Sequence, residues 1–179
     1  MIVVEGPDGA GKTTLISHLQ QDLLLPVAPR VVSKTAHAMI DLVKWVEDNL
    51  ADGLQPMIFD RHRLISEPIY GPVLRETMQP GFDNMTWLYA KQQEFRSVEP
   101  FVIFCLPPFE AVWANVEEDE DNKVVREHIR TIYWLYFHAA STWKTHSSVW
   151  DYTKDQVYTY EYLLSEIEGW MSEKGIAHG

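Results

Sequence analysis

Residues 6–14 form the segment of the sequence best suited to binding a phosphate group. They read Gly-Pro-Asp-Gly-Ala-Gly-Lys-Thr-Thr and match the pattern G-x-x-x-x-G-K-[ST] in full. The glycines let backbone N–H groups turn inward around phosphate oxygens, and the dipole of a following helix favours an anion at that end. The pattern predicts a nucleoside triphosphate site, in which Lys12 contacts the β- and γ-phosphates and the Thr13 hydroxyl ligates Mg²⁺. The residues predicted to bind the nucleotide are Gly6, Gly9, Ala10, Gly11, Lys12, Thr13 and Thr14.

A second polar group follows the apolar run 57–59, where Asp60, Arg61 and His62 stand in succession. A carboxylate at the end of a buried strand can reach the water shell of Mg²⁺ or the threonine of a phosphate loop. Asp60 is therefore a predicted metal residue, with a strand-end cap as the alternative interpretation. The planar guanidinium of Arg61 suits bidentate contact with a phosphate group.

The segment 5–14 resembles the start of the thymidylate kinase family, whose members open with E-G-x-D/E-G-[AS]-G-K-[ST]-T. The triplet 60–62 is similar to the D-R-[YHF] motif of the same family, and Tyr70 follows it as a tyrosine does there. The resemblance implies a P-loop kinase that uses ATP and Mg²⁺.

The resemblance also implies roles for individual side chains. Asp8 would contact the acceptor sugar or the transferring phosphate, Arg61 would lie against the acceptor phosphate, and His62 would touch the acceptor through its place in the triplet. Family members carry arginines in a lid that clamps the triphosphate. The corresponding region here holds Arg126 and Arg130, which share one helix face because they are four residues apart. Each would serve either as a lid cation or as the partner of a nearby carboxylate or solvent.

Two aromatic residues are candidates for stacking on the acceptor base. Tyr70 and Trp87 fall between the triplet 60–62 and the next predicted strand, where the acceptor should lie. The aromatic run 132–137 is expected in the core instead, since such a stripe packs inside more often than it binds a base. Cys105 lies in an apolar run and is expected to be a buried strand thiol. No histidine has metal-ligand spacing with it, so no structural zinc is expected.

Short apolar runs alternate with helical patterns along the chain. This alternation predicts an α/β fold with a doubly wound parallel sheet of about five strands and a short lid, and residues 1–179 fit one domain. The predicted strands cover residues 2–5, 30–33, 56–59, 100–106 and 149–152. The predicted helices cover residues 12–25, 35–50, 84–96, 109–116, 123–143 and 156–174. The Pro- and Gly-rich residues 67–81 are predicted to be irregular, and the acidic residues 117–122 to be a mobile loop.

The chain has 179 residues and a net charge of −11. This charge disfavours a broad nucleic-acid-binding surface, which usually needs a basic patch, although a local groove stays possible. No apolar stretch approaches the roughly 18 residues of a membrane-spanning helix, and the N-terminus lacks the basic region of a signal peptide. The single cysteine favours a reducing compartment. The expected location is therefore the cytoplasm, or a host cytoplasm, because the small size and missing segments suggest a viral or otherwise reduced family member.

The expected activity is ATP- and Mg²⁺-dependent phosphoryl transfer to a deoxynucleoside monophosphate, with dTMP or a modified pyrimidine favoured. Such a step belongs to deoxynucleotide metabolism. The partners expected are a small nucleotide acceptor and, as is common in the family, a second copy of the chain.

Two other activities stay open. One is a kinase that acts on a deoxynucleoside or on a modified base in DNA, because the family's R-E-P-G segment is missing and residues 30–34 stand in its place. Deoxynucleoside kinases usually carry a carboxylate base after the second strand, in an E-P-like motif, and no such motif stands at that place in this sequence. Glu67 and Pro68 follow the triplet 60–62 instead, and Glu67 is a candidate for the acceptor site, with a surface loop as the alternative. The other is a nucleotide-dependent switch without acceptor chemistry.

Overall fold

The computed structural model describes residues 1–29, 44, 46–48, 56–78, 81–117 and 123–176. Strands and helices alternate along them. The strands are β1 (Ile2–Glu5), β2 (Ile58–Asp60), β3 (Phe101–Cys105) and β4 (Ser147–Trp150). The helices are α1 (Lys12–Leu23), α2 (Arg63–Arg75), α3 (Met85–Ser97), α4 (Phe109–Glu117), α5 (Lys123–Thr142) and α6 (Gln156–Glu173). Positions 44 and 46–48 are also helical.

The strands pair in the order β2-β1-β3-β4, and all of them are parallel. β1 is central, since Val3 lies opposite Phe59 on one side and Val102 on the other. Strands β1 and β3 are buried along their whole length, which explains why both read as nearly continuous apolar runs. The predicted α/β fold with a parallel sheet is confirmed. Because parallel strands bring their carboxyl ends to one edge, the residues that follow β1, β2 and β3 gather there.

The fifth predicted strand, at 30–33, lies outside the described residues. The chain that leads to it nevertheless runs along β2, because Val27 forms a parallel bridge with Ile58. Two backbone hydrogen bonds hold it there: the Ala28 N–H donates to the Ile58 carbonyl at 2.8 Å, and the Ile58 N–H donates to the Pro26 carbonyl at 2.9 Å. Most of the predicted helix at 35–50 also lies outside the described residues.

The prediction of irregular structure at 67–81 is wrong for its first half. Residues through Arg75 belong to α2, although Pro68 and Pro72 lie inside this helix. A proline lacks the N–H that would bond the carbonyl four residues earlier. For Pro68 that carbonyl belongs to Leu64, and it accepts a hydrogen bond from the Gln92 side chain of α3 at 3.0 Å. A tertiary contact thus replaces the missing helical hydrogen bond, which local sequence rules cannot anticipate.

Other boundaries differ from the predictions by a few residues. Helix α1 ends at Leu23 because Leu24 has a left-handed backbone with φ of 54°. Strand β4 begins at Ser147, two residues before the predicted start, and ends before Asp151. Its ends follow its pairing with β3, which runs from Val102 opposite Ser147 to Cys105 opposite Trp150, and not its own hydrophobic pattern.

Helix α5 divides the aromatic run 132–137 between the core and the surface. Ile132, Tyr133 and Tyr136 are buried, whereas Trp134 and Phe137 are about half exposed, at 56% and 49%. The core prediction therefore holds for one face of the run only, as the helical period requires. Within the described part of the chain, no helix has the length and apolar character needed to cross a membrane.

Candidate active site

The phosphate loop connects β1 to α1 through backbone that only glycine adopts readily. Gly6 has φ of 144°, and a Cβ atom placed on it would come within 2.6 Å of the Cys105 carbonyl oxygen of β3. Gly11 has φ of 79°, and its missing side chain admits the ring of Tyr152. The loop is therefore packed between β3 and the turn after β4. The sequence prediction of a strand, a glycine-rich loop and a helix beginning at Lys12 matches these elements.

Lys12 folds back into the loop. Its Nζ atom donates to the Pro7 carbonyl at 2.6 Å, and the residue is only 8% exposed. Burial, and next the positive charge of Arg61, lower the pKa of Lys12 to about 8, while Asp8, Cys105 and Asp60 act in the opposite direction. A phosphate in the loop would offer this ammonium a charged acceptor in place of a neutral carbonyl. The position fits the predicted contact with the β- and γ-phosphates.

Asp8, Arg61 and Tyr70 form a closed hydrogen-bonded cluster beside the loop. One guanidinium nitrogen of Arg61 donates to an Asp8 oxygen and to the Tyr70 hydroxyl, both at 2.8 Å. The Tyr70 hydroxyl donates to the other Asp8 oxygen, also at 2.8 Å. Burial alone would raise the pKa of the Asp8 carboxyl, but the charges of Arg61 and Lys12 hold that pKa below its ordinary value. The structure thus brings together three residues that the sequence placed at the acceptor.

Arg61 reaches this cluster from a left-handed backbone. Its φ is 67°, which is unusual for a residue with a side chain. Its N–H donates to the Val4 carbonyl of β1 at 3.0 Å, and its guanidinium also contacts the Gly6 carbonyl at 3.2 Å. The side chain therefore spans the gap between the end of β2 and the phosphate loop.

His62 was expected to touch the acceptor, but its side chain lies in the core. The residue is fully buried, its ring stacks on Phe95 at 4.3 Å, and its Nδ1 accepts the Leu64 N–H at 3.3 Å as the cap of α2. Burial, followed by the charge of Arg63, lowers the pKa of His62 to about 3. The neutral imidazole therefore begins a helix, and in this arrangement an acceptor cannot reach it.

Two oxygen-donating side chains fit the predicted Mg²⁺ site. Thr13 is exposed in the first turn of α1, and Asp60 ends β2 next to β1. Asp60 lies close enough to Lys12 to influence its pKa. A hydroxyl and a carboxylate beside bound phosphates are the ligands that Mg²⁺ prefers. Among the described residues, no group of three His, Cys, Asp or Glu side chains is arranged to hold a metal by itself, so the phosphates would have to complete the coordination.

The remaining candidates of the lid and the acceptor pocket lie outside the cluster. Arg126 contacts the carbonyl of Glu117 at 3.4 Å, and Arg130 stacks over the ring of Phe109 at 4.9 Å. Both therefore lie against α4, which in turn packs on Gly9 of the loop. The predicted mobile loop at 117–122 falls outside the described residues, apart from its first residue.

Trp87, the second stacking candidate, lies in the first turn of α3. Its ring packs edge-on against Phe82 at 5.3 Å, and its Nε1 approaches a Glu47 oxygen at 3.4 Å. Glu67, which was considered for the acceptor site, is 1% exposed and pairs with Arg75. Of the two aromatic candidates, the structure joins Tyr70 to the loop.

Two residues that contact the loop, Asn115 and Tyr152, were not identified from the sequence. The Asn115 side chain of α4 donates to the Gly9 carbonyl and to the Tyr152 hydroxyl, both at 2.8 Å. Tyr152 follows the last strand, so its place at the carboxyl edge of the sheet was available as a clue. Asn115 is an ordinary helix residue in the sequence and offered none.

A cavity of about 510 Å³ opens beside these two residues. Its walls come from α1, α4, the end of β4 and α6, and include Gly11, Thr14, His18, Asn115, Tyr152 and Tyr160. Its size is in the range of small-molecule sites. A nucleotide with its phosphates in the loop has room here for its sugar and base.

Comparisons with known proteins identify structures but no sequence family. No family model matches the chain, and no curated protein matches its sequence. The structure of YorR protein from Bacillus subtilis, in complex with phosphorylated GDP, aligns with a TM-score of 0.64 at 18% identity, over 94% of this chain and 96% of that one.

Deoxyadenosine kinase from M. mycoides is also similar. Its structure with bound dCTP aligns with a TM-score of 0.63 at 15% identity, over 94% of this chain and 100% of that one. Its structure with bound dATP aligns with a TM-score of 0.60 at 17% identity, over 93% and 98%. At such identities the likeness concerns the fold, and nearly the whole chain takes part in it. The chain thus has the P-loop fold found in these nucleotide-binding proteins.

Proposed function

We propose that this chain transfers the γ-phosphoryl group of ATP, with Mg²⁺, to a deoxynucleoside monophosphate, with dTMP or a modified pyrimidine as the favoured acceptor. The observation that carries the proposal is the cluster of Asp8, Arg61 and Tyr70 beside the phosphate loop. The Arg61 guanidinium faces the phosphate loop and has the planar shape that suits bidentate contact with an acceptor phosphate. A kinase needs such a group to hold the acceptor near the γ-phosphate.

The proposed mechanism consists of positioning and charge stabilisation. Lys12 and the N–H groups of the loop would hold the triphosphate, while Thr13 and Asp60 would hold Mg²⁺, which would neutralise charge on the phosphates. Arg61 exchanges part of its contact with Asp8 for the acceptor phosphate. Either Arg126 or Arg130 supplies a further positive charge to the triphosphate. A phosphate acceptor is already ionised, so this reaction needs no strong general base.

A deoxynucleoside is the second candidate acceptor. The low pKa of Asp8 keeps a carboxylate beside the loop, and such a group can accept a proton from a sugar hydroxyl. The deoxyadenosine kinase structures with bound dATP and dCTP support this reading. A modified base in DNA is less favoured, because the net charge of −11 repels a polyanion.

The deciding experiment is a coupled ATP-consumption assay with Mg²⁺ against deoxynucleoside monophosphates, deoxynucleosides and short DNA oligomers. Stimulation by one monophosphate, with formation of its diphosphate, is the expected result. Stimulation only by nucleosides or only by DNA would mean that the protein is a kinase whose acceptor is not a monophosphate. Slow hydrolysis that no acceptor alters would overturn the proposal in favour of a nucleotide switch.

We further propose that the chain forms a homodimer and is located in a cytoplasmic compartment. Sedimentation velocity over a range of chain concentrations measures the oligomeric state. A single species of monomer mass at every concentration would contradict it.

A further inference from the structure

Glu5 is a buried carboxyl group to which the proposed mechanism gives no role. It ends β1 immediately before the phosphate loop and is 0% exposed. One of its oxygens accepts the backbone N–H of His62 at 2.6 Å, and the other accepts the Tyr136 hydroxyl of α5 at 3.0 Å. A buried acidic group usually interrupts a strand like β1 only where a partner requires it. Here that partner is the residue directly after Arg61.

The backbone at Arg61 needs external support. A left-handed conformation in a residue with a side chain costs free energy and persists where its surroundings impose it. Two consecutive N–H groups fix this turn. The Arg61 N–H donates to the Val4 carbonyl, and the His62 N–H donates to the Glu5 side chain. The end of β1 therefore holds the turn on both sides of the Arg61 side chain.

The conformation of this turn decides where the guanidinium lies. With φ at 67°, the Arg61 side chain reaches the Gly6 carbonyl, Asp8 and Tyr70. A return to an ordinary negative φ would turn the side chain to a different direction. Without Glu5 the buried His62 N–H would also lose its acceptor, which adds a reason for the turn to rearrange.

We propose that Glu5 is a positioning residue: by accepting the His62 N–H, its carboxyl group fixes the turn that directs the Arg61 guanidinium at the phosphate loop. The inference rests on the proposed function where turnover is measured. The essential property of Glu5 is then the length of its side chain, which brings an oxygen to the His62 N–H, and not its negative charge.

Two substitutions separate reach from charge. Glu5→Gln keeps an oxygen at the same distance and removes the charge, whereas Glu5→Asp keeps the charge and withdraws the oxygens by one methylene. We expect Glu5→Gln to retain kcat within about threefold, and Glu5→Asp to lose about 10²-fold, because small misplacements of a positioning group can cost that much. The KM for ATP should change little in both. The opposite order of the two variants would overturn the inference.

Tyr136→Phe is the matched control. It removes the other hydrogen bond of the same carboxyl group and leaves the His62 contact in place. If Glu5 served only to stabilise the fold, Tyr136→Phe and Glu5→Asp would lower kcat alike. We expect kcat to stay near the wild-type value in Tyr136→Phe, even if its melting temperature falls.

A double-mutant cycle tests whether Glu5 acts through Arg61. In an Arg61→Ala background the positioned group is already gone, so Glu5→Asp should reduce kcat by no more than about twofold further. Multiplicative losses in the double variant would show that Glu5 acts by another route.

Hydrogen exchange gives a measurement that depends on neither turnover nor a folded variant. In the wild-type chain the His62 N–H should exchange with water as slowly as the N–H groups of β1, because it is buried and bonded. Fast exchange at His62 would overturn the inference even in a working kinase. Slow exchange at His62 together with no acceptor-dependent turnover would support the hydrogen bond between Glu5 and the turn, and would overturn the proposed function instead.

Discussion

At the scale of single residues, Arg61 combines contacts that only an arginine can make together. Its guanidinium bonds to a carboxylate, a hydroxyl and a backbone carbonyl, and its Cζ atom lies 4.8 Å from the Tyr70 ring centre. A lysine has neither the planar shape nor the number of fixed donors. Lys12, in contrast, makes one short contact inside the loop. Under the proposed function, Arg61 would hold the acceptor and Lys12 the triphosphate.

Lys12→Ala and Arg61→Ala should each lower turnover by about 10²-fold or more, the size of effect expected when a charge that stabilises the transition state is lost. Steady-state kinetics with the best acceptor from the panel measure this. Lys91→Ala is the control, because Lys91 pairs with Glu94 within α3. Near-wild-type rates in either of the first two variants would remove that residue from the mechanism.

Tyr70→Phe should lower kcat/KM for the acceptor by about tenfold or more. The change keeps the ring but removes the hydroxyl that joins Asp8 to Arg61, and hydrogen bonds to charged groups each contribute about 1.5–3 kcal/mol. Tyr158→Phe, on the exposed surface of α6, serves as the control. An unchanged kcat/KM in Tyr70→Phe would mean that Asp8 and Arg61 hold each other without it.

At the scale of elements, α2 links the cluster of Asp8, Arg61 and Tyr70 to the rest of the molecule. It begins at the cap formed by His62, carries Tyr70 and packs against α5. Its two prolines weaken its own hydrogen bonding, so its stability depends on neighbours. The bond from Gln92 to the Leu64 carbonyl is one such contribution.

Gln92→Ala should lower the free energy of unfolding by about 1–2 kcal/mol, because the Leu64 carbonyl would lose its donor. Its neighbour Gln93 is exposed on the same helix and provides a matched control. Gln93→Ala should stay within about 0.5 kcal/mol of the wild-type value. Urea denaturation of the three proteins measures both differences. Equal effects of the two substitutions would mean that the contact contributes nothing to α2.

At the scale of the whole molecule, two buried groups give the folding stability opposite dependences on pH. Burial raises the pKa of Glu5 from 4.5 to about 7. Between these values the folded chain keeps a proton that the unfolded chain has lost, so stability falls as pH rises. Burial, with a smaller contribution from Arg63, lowers the pKa of His62 from 6.5 to about 3. Between those values the unfolded chain binds the extra proton, so stability rises with pH.

The two contributions oppose each other where their pH ranges overlap, so a variant is needed to separate them. Glu5→Gln removes the contribution that falls with pH. The free energy of unfolding of this variant, relative to that of the wild type, should therefore increase as the pH rises from 4.5 to 7, by roughly 3 kcal/mol in total. Urea denaturation at pH 5 and at pH 7.5 measures the gain. A difference between the two proteins that is the same at both pH values would contradict the raised pKa of Glu5.

The sequence by itself determined the phosphate loop, the parallel sheet and the succession of Asp60 and Arg61. These features are local: the loop is contiguous, and buried parallel strands show themselves as apolar runs. The same locality explains the correct start of α1 at Lys12. The expectation that His62 touches the acceptor came from its position in a motif. A motif gives the order of residues but not the direction in which a side chain points, and the His62 side chain is buried.

Only the tertiary structure decided how the site is held together. Asp8 lies 53 residues from Arg61 and 62 residues from Tyr70 along the chain, yet one cluster joins them. The positioning role proposed for Glu5, the helix that contains two prolines and the contacts of Asn115 likewise depend on partners that are distant in sequence. Such contacts form because burial leaves polar groups without water, and each group then takes the nearest partner that the packed elements bring to it.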